Sequence, residues 1–460
     1  MKNSAESRAD MMLNEPVSRV IPRLAVPTII SMLISSIYNM ADTFFVSQIG
    51  TSASGAVGVI FSAMTMIQAV AFTIGMGTGT NLSQALGAGD EERAERFAAT
   101  GFFTAFGLGV LIAALGLTHI ESLVRFLGAT ETIAPYARDY ATYIFYAAPF
   151  MICSFAMNNL FRFEGLTFYG MIGIASGGLL NIALDPLFIF GFGLGTAGAA
   201  IATAISQFVS FTILLIMTNT RKEAIRIRFD RFTPSLEMYG RILYNGFPSL
   251  GRQGITSIST IVLNQSAGLY GDAAIAAMSI VTRFITFINS SVIGFGQGFQ
   301  PVSSFCFGAK HYSRVREALW FCVKVTTILL IVLSVISFVF AGPIVAVFRR
   351  DDPLVIEIGT LALRLQLLTM PLWGMIIMCD MFAQAIGYGV RSTILSVSRQ
   401  GTFLIPARII LPRVFGLLGI QMAQPVSDVF TFTLTVLIVR GILNEFNQLE
   451  KAACSPPSTI

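Results

Sequence analysis

Charge is what this chain has least of. Asp, Glu, Lys and Arg make up 12% of its 460 residues, against about 25% in a soluble globular domain. With 54% hydrophobic residues, that shortage excludes a water-soluble fold and implies an all-α polytopic membrane protein. Histidine is nearly missing: His119 and His311 are the only two, in different loops, which gives His-dependent hydrolysis little support. No G-x-S-x-G and no H-E-x-x-H occurs. Gly75-x-Gly77-x-Gly79 lies at a helix end, with no strand before it and no Walker lysine after it, so it is not read as a nucleotide loop. The five cysteines (Cys153, Cys306, Cys322, Cys379, Cys454) are odd in number, and four fall in or at apolar spans. Neither a disulfide framework nor a metal-ligand cluster is expected. The first 20 residues are polar, carry Lys2, Arg8 and Arg19, and lack a signal-peptide pattern. The expectation is a chain that is not an enzyme, needs no cofactor and binds no nucleic acid.

Apolar segments are there instead. They run at about 20–46, 55–79, 96–116, 136–159, 167–189 and 195–217, then at about 242–266, 274–299, 317–341, 358–385, 390–411 and 417–443. Nearly every one is long enough to cross a hydrocarbon core of about 30 Å. Residues 1–18 read as a leader, 19–217 as an N-lobe, 218–241 as a basic linker, 242–443 as a C-lobe and 444–460 as a disordered tail ending near Ser-Pro-Pro-Ser. Loops 80–95, 218–241 and 300–316 hold Arg93, six basic residues from Arg221 to Arg241, and Lys310, Arg314 and Arg316, while 47–54, 190–194 and 267–273 hold no Lys or Arg. That asymmetry predicts a multi-pass cell (inner) membrane protein with both termini cytoplasmic.

The halves repeat. Leu86-Gly87-Ala88-Gly89-Asp90 followed by Arg93 matches Phe307-Gly308-Ala309-Lys310-His311 followed by Arg314, a shift of 221 residues. The same shift pairs Pro27 with Pro248 and Ser206 with Ser427; Pro149 and Gly165 pair with Pro371 and Gly387 at 222. Six segments per half is an even number, so the repeats share one orientation. Two parallel bundles of this kind suit alternating access.

The first half carries buried acid. Asp42 lies between Tyr38-Asn39-Met40 and Thr43-Phe44-Phe45, and Asn181 and Asp185 sit four apart in another apolar run, hence on one helix face. A carboxylate at mid-membrane costs about 2.5–3.5 kcal/mol on insertion scales and is a functional hypothesis by default. Pro186 removes a backbone donor and predicts a kink with a freed carbonyl beside Asp185, the form in which many transporters build a cation site. The plainer alternative is that Asp185 caps a helix starting at Pro186.

Ala41-Asp42-Thr43 in the first helix, Asn181-x-x-x-Asp185-Pro186 in the fifth, the Gly-Ala loops, Arg162-x-Glu164-Gly165 and the 218–241 linker together resemble the multidrug and toxic compound extrusion (MATE) transporters. The resemblance covers about 20–443 and is strongest to prokaryotic members with an N-lobe cation site. It implies Asp42, Asn181, Asp185 and Thr203 as cation-site residues, and two six-helix bundles of the MATE type. The seventh-helix carboxylate of another branch is replaced here by Asn264 and Gln265.

Those four side chains offer only oxygen, which suits H+ or Na+ and no other metal. Two nearby buried carboxylates would titrate as a unit. The C-half differs: Arg252, Arg283 and Arg399 fall in its spans with Asp380 and Asp428. Structural pairs such as Arg283 with Asp380 or Arg399 with Asp428 are expected ahead of substrate contact. Most of the 39 Phe and 19 Met face lipid or core, with some Met offering an adaptable surface for aromatic cations. The leading expectation is a monomeric, cation-coupled antiporter exporting cationic or amphipathic drugs. The alternatives are a lipid-linked saccharide flippase of the same superfamily, which would want a basic cavity, and an intramembrane enzyme, for which no catalytic cluster is visible.

Overall fold

The computed structural model describes residues 4–221, 224–348 and 352–454. Among them every regular element is helical. The N-terminal half runs α1 (Ser4–Asn14), α2 (Val17–Ser47), α3 (Thr51–Gly87), α4 (Glu91–Thr118), α5 (Ile120–Phe126), α6 (Ala134–Phe163), α7 (Thr167–Pro186) and α8 (Gly195–Thr220). The C-terminal half runs α9 (Leu236–Gly268), α10 (Asp272–Gly308), α11 (Tyr312–Val339), α12 (Ala341–Phe348), α13 (Pro353–Thr369), α14 (Trp373–Ala385), α15 (Gly389–Val397), α16 (Leu404–Phe415) and α17 (Leu417–Cys454). Ten helical stretches are long and apolar enough to cross a membrane. The polar-studded α9 and the broken 389–415 segment bring the bundle to twelve crossings. The short α5 and α12 begin 221 residues apart, so the repeat extends to elements that hydropathy alone does not register.

Each lobe has its own apolar core. They meet through small residues. A side chain at Gly77 would start 1.9 Å from the carbonyl of Ile242, and its repeat mate Gly298 would start 2.4 Å from Cα of Ala25. Gly87 and Gly308 do the same against Phe305 and Gln84, at 2.0 and 2.1 Å. Phe305 is itself 221 residues after Gln84, so these contacts are a two-fold pair. Only glycine allows backbones this close.

The lobe contacts lie on the side of the molecule that carries α1, whose Met12 meets Cys306 and Arg314. Along α2 and α10 they run from Ala25 against Gly298, through Thr28 donating to Gly294 O at 2.6 Å, to Ser36 and Ser290, whose hydroxyls are 3.2 Å apart. One turn further, Met40, Thr43, Phe287 and Arg283 are all exposed.

The described parts of the leader and tail are helical and packed onto the fold. In α1, Met11 and Met12 are buried, and Arg314 donates to Met12 O at 2.6 Å. The tail was expected to be disordered. Residues 444–454 instead continue α17, because Phe446 is buried and Glu445 and Glu450 pair with Arg391 and Arg316. Residues 455–460 and Lys222 lie outside the described residues.

Glu164, just past α6, anchors the linker. Its carboxylate accepts the Ile225 N–H at 3.0 Å, and Arg8 donates to its carbonyl at 3.3 Å. Burial pushes this carboxyl up from 4.5 to about 7, against the pull of the Ile225 N–H and the Arg8 charge. A raised folded-state value means that the stability it contributes is complete below about 4.5 and is lost as pH rises through about 7. Glu164→Gln keeps an acceptor for Ile225 and should flatten the fall in melting temperature across that window; an unchanged slope would refute the assignment. The lobe contact is tested separately. With a protease site inserted near Arg228, oxidised Ser36→Cys/Ser290→Cys protein should keep its halves together on a non-reducing gel, and halves that separate would contradict this packing.

Candidate functional site in the N-lobe

Four helices converge on one cluster. Asp42 comes from α2, Tyr140 from α6, Asn181 and Asp185 from α7, and Thr203 from α8. All five are buried, Asp185 completely. The Asn181 amide donates to Asp185 Oδ1 and to Thr203 Oγ1, both at 3.2 Å. The expected i, i+4 pair is therefore made, and the Thr203 hydroxyl turns to Asn181 rather than to its own helix. Asp42 Oδ2 accepts from the Tyr140 hydroxyl at 3.2 Å, and Tyr140 lies within electrostatic reach of Asp185 as well.

What the cluster lacks decides its chemistry. No ion pair among the described residues involves Asp42 or Asp185. Asp42 Oδ1, Asp185 Oδ2 and Asn181 Oδ1 are buried with no hydrogen-bond donor. A buried acceptor without a donor costs about 1–3 kcal/mol, more when charged. Three such oxygens in one cluster are suited to a proton or a hard cation.

Pro186 does not break the helix. The α-helix runs through it and relaxes into one π-helical stretch, Leu187–Gly191, a form that local strain at proline favours. Capping of a new helix by Asp185 is not seen. Tyr140 was not anticipated. Its signal was weak: a tyrosine in an apolar span must place its hydroxyl somewhere, but nothing in one sequence says against which helix. Buried Tyr38, one turn before Asp42, has the same character.

The C-lobe acids have the partners that the N-lobe acids lack. Asp428 accepts from Thr369, Trp373, Gln424 and Arg399 at 3.1, 2.8, 3.0 and 3.4 Å, so the expected Arg399 pair is present. Asp380 accepts from Ser392 and Ser396 and pairs with Arg252 at 3.3 Å. The expected Arg283–Asp380 pair is not formed: Arg283 is exposed on α10, and Arg252 takes its place. Asn264 and Gln265 are also exposed and build no second site.

Comparison with known proteins identifies the family. The family model MatE matches residues 27–187 and again 248–409, two ranges that begin 221 residues apart. The chain belongs to the MATE family. It is 25% identical over 438 residues to a multidrug export protein, MepA, of Staphylococcus haemolyticus, covering 95% of this chain and 96% of that one. It also superposes, at TM-score 0.90 and 26% identity, on a multidrug resistance MATE family transporter of the MOP superfamily in an outward-facing conformation, covering 95% and 98% of the two chains. A MOP superfamily transporter from Pyrococcus furiosus, described as having a binding pocket of reverse polarity, matches at TM-score 0.90 and 25% identity, with 95% and 98% covered. The fold is thus that of a multi-pass MATE transporter, a family of multidrug efflux proteins.

The Tyr140–Asp42 contact gives a test of the cluster. Because it is a buried hydrogen bond to a carboxyl group, a Tyr140→Phe, Asp42→Asn double-mutant cycle in detergent unfolding should give a coupling of about 1–3 kcal/mol. Strictly additive effects would place the two side chains apart.

Proposed function

We propose that this MATE protein is a cation-coupled antiporter that exports cationic or amphipathic organic compounds by alternating access, using H+ or Na+ and no cofactor, as a monomer with cytoplasmic termini in the cell membrane. The carrying observation is the pair of buried carboxylates with no basic partner, in a lobe whose helix α2 also forms the lobe boundary. In this reading a proton or sodium ion is a co-substrate. It neutralises Asp42 and Asp185, accepts the orphaned oxygens as ligands or hydrogen-bond partners, and so favours one packing of α2. Export substrate favours the other. Coupling needs only that ion and substrate prefer different states. The substrate leaves chemically unaltered.

The flippase reading retains one supporting observation, the arginines of the C-lobe, and one analogy, the reverse-polarity pocket described for the Pyrococcus furiosus protein. Displacement of a cationic dye by a pyrophosphate lipid would favour it.

Asp185→Asn removes the charge and keeps the shape, and a neutral amide is cheaper to bury than a carboxylate. The variant should insert and fold normally yet lose ion-driven ethidium efflux from proteoliposomes at matched protein level, with sodium and pH gradients imposed separately. Asp42→Asn should behave alike. The double variant should be little worse than either, since the pair acts as one unit. Exposed Asp139→Asn should be nearly silent. Wild-type efflux by Asp185→Asn would remove the site from the mechanism.

A further inference from the structure

The C-lobe contains a cavity of about 330 Å³ between α9, α10, α14, α15 and α16. Its walls are apolar at Leu263, Ile285, Ile377 and Met381, and aromatic at Trp373. Three guanidinium groups reach it: Arg252, Arg399 and Arg408. Ser290, which touches Ser36 across the lobe boundary, also lines it, so the cavity borders the lobe boundary.

The charges do not balance. Arg252 is matched by Asp380 at 3.3 Å and Arg399 by Asp428 at 3.4 Å. Arg408 is 9% exposed and has no acidic partner among the described residues; it donates from Nη1 to the carbonyl and hydroxyl of Ser259, the latter at 2.8 Å. Arg399 sits on a π-helical turn, Ser398–Thr402, that has no counterpart at the matching place in α7. It holds its guanidinium 4.1 Å above the Trp373 ring. A buried guanidinium without an acid is costly unless something anionic meets it, and π-turns recur where a helix is shaped for a ligand.

We propose that this cavity is a binding site for a single negative charge carried on an apolar or aromatic body, with Arg408 as its anchor. The count sets the class. Three guanidinium groups against two carboxylates leave one unmatched positive charge, which suits a monoanion such as a carboxylate or a phosphodiester headgroup. A pyrophosphate would overcompensate it. The volume suits a small organic molecule, and the aromatic wall suits a planar one. This goes beyond the export reading: it assigns a second site, in the other lobe, and equilibrium binding tests it without any ion gradient.

The protein has two tryptophans, so Trp320→Phe leaves Trp373 as the sole reporter. In phosphatidylcholine nanodiscs, 4-nitrobenzoate should quench Trp373 saturably. Its methyl ester and 4-nitrobenzylammonium should bind at least about tenfold more weakly. Arg408→Gln should raise the Kd for 4-nitrobenzoate about tenfold or more, as loss of one charge-assisted contact predicts, and Arg408→Lys should fall between. If Arg408→Gln fails to fold, thermal stabilisation of the unmutated protein by the carboxylate but not by the ester carries the test. Equal effects of acid and ester, or an unchanged Kd in a folded Arg408→Gln, would overturn the site. Phosphatidylglycerol nanodiscs separate the two sources of such an anion: quenching abolished there assigns the site to a lipid headgroup, and quenching retained assigns it to a soluble anion.

Discussion

An ionised or hydrogen-bonding group inside an apolar layer must find a partner, and most of this structure can be ordered by how that demand is met. Backbone groups meet it by staying helical. Serine and threonine hydroxyls meet it by bonding back along their own helices, as Thr73 does to Ala69 O at 2.7 Å and Thr431 to Ser427 O at 2.8 Å. The C-lobe acids meet it completely: Asp428 has four donors and Asp380 has an arginine and two serines. Two sites do not meet it in full. In the N-lobe cluster two carboxylates lack a cation; at the C-lobe cavity Arg408 lacks an acid among the described residues. The two sites are opposite in which charge is left over.

That opposition is built on a shared frame. The glycines at 77 and 298, and at 87 and 308, let backbones from the two halves approach to contact at equivalent places. Contacts of this kind are tight and also weak per residue, since they carry no side-chain interlock. They suit an interface that closes firmly and still releases. The leader and linker lie across the same side, with α1 held by Arg314 and the linker held by Glu164. Both tether the lobes from that side.

Much of this was legible beforehand, and the part that was not has a physical reason. Hydropathy marks a span because every side chain of a lipid-facing helix contributes to it. Twelve crossings and their two-fold repeat could therefore be read, although α9 and 389–415 fall below the level a single helix would need alone. A four-residue spacing places Asn181 and Asp185 on one face, because that relation is internal to a helix. Relations between helices leave no such trace. Tyr140 meeting Asp42, and Arg252 rather than Arg283 meeting Asp380, depend on rotation and depth of packed helices. The tail misled for a simpler reason: residues 444–454 look polar, but one buried Phe446 and two ion pairs suffice to hold a helix that is already propagating.

Helix α2 ties these observations together. Near its start, Val20, Ile21 and Leu24 belong to the C-lobe core. In its middle, Thr28 and Ser36 bond to α10. Towards its end, Asp42 enters the N-lobe cluster and Val46 the N-lobe core. One helix thus reports to both lobes, with Pro22 and Pro27 near the first contacts as points where its backbone ladder is already interrupted. A change of charge at Asp42 acts on the same rigid element that seals the lobe boundary four turns away. No longer chain of intermediaries is required for the acid cluster and the lobe boundary to share a free energy.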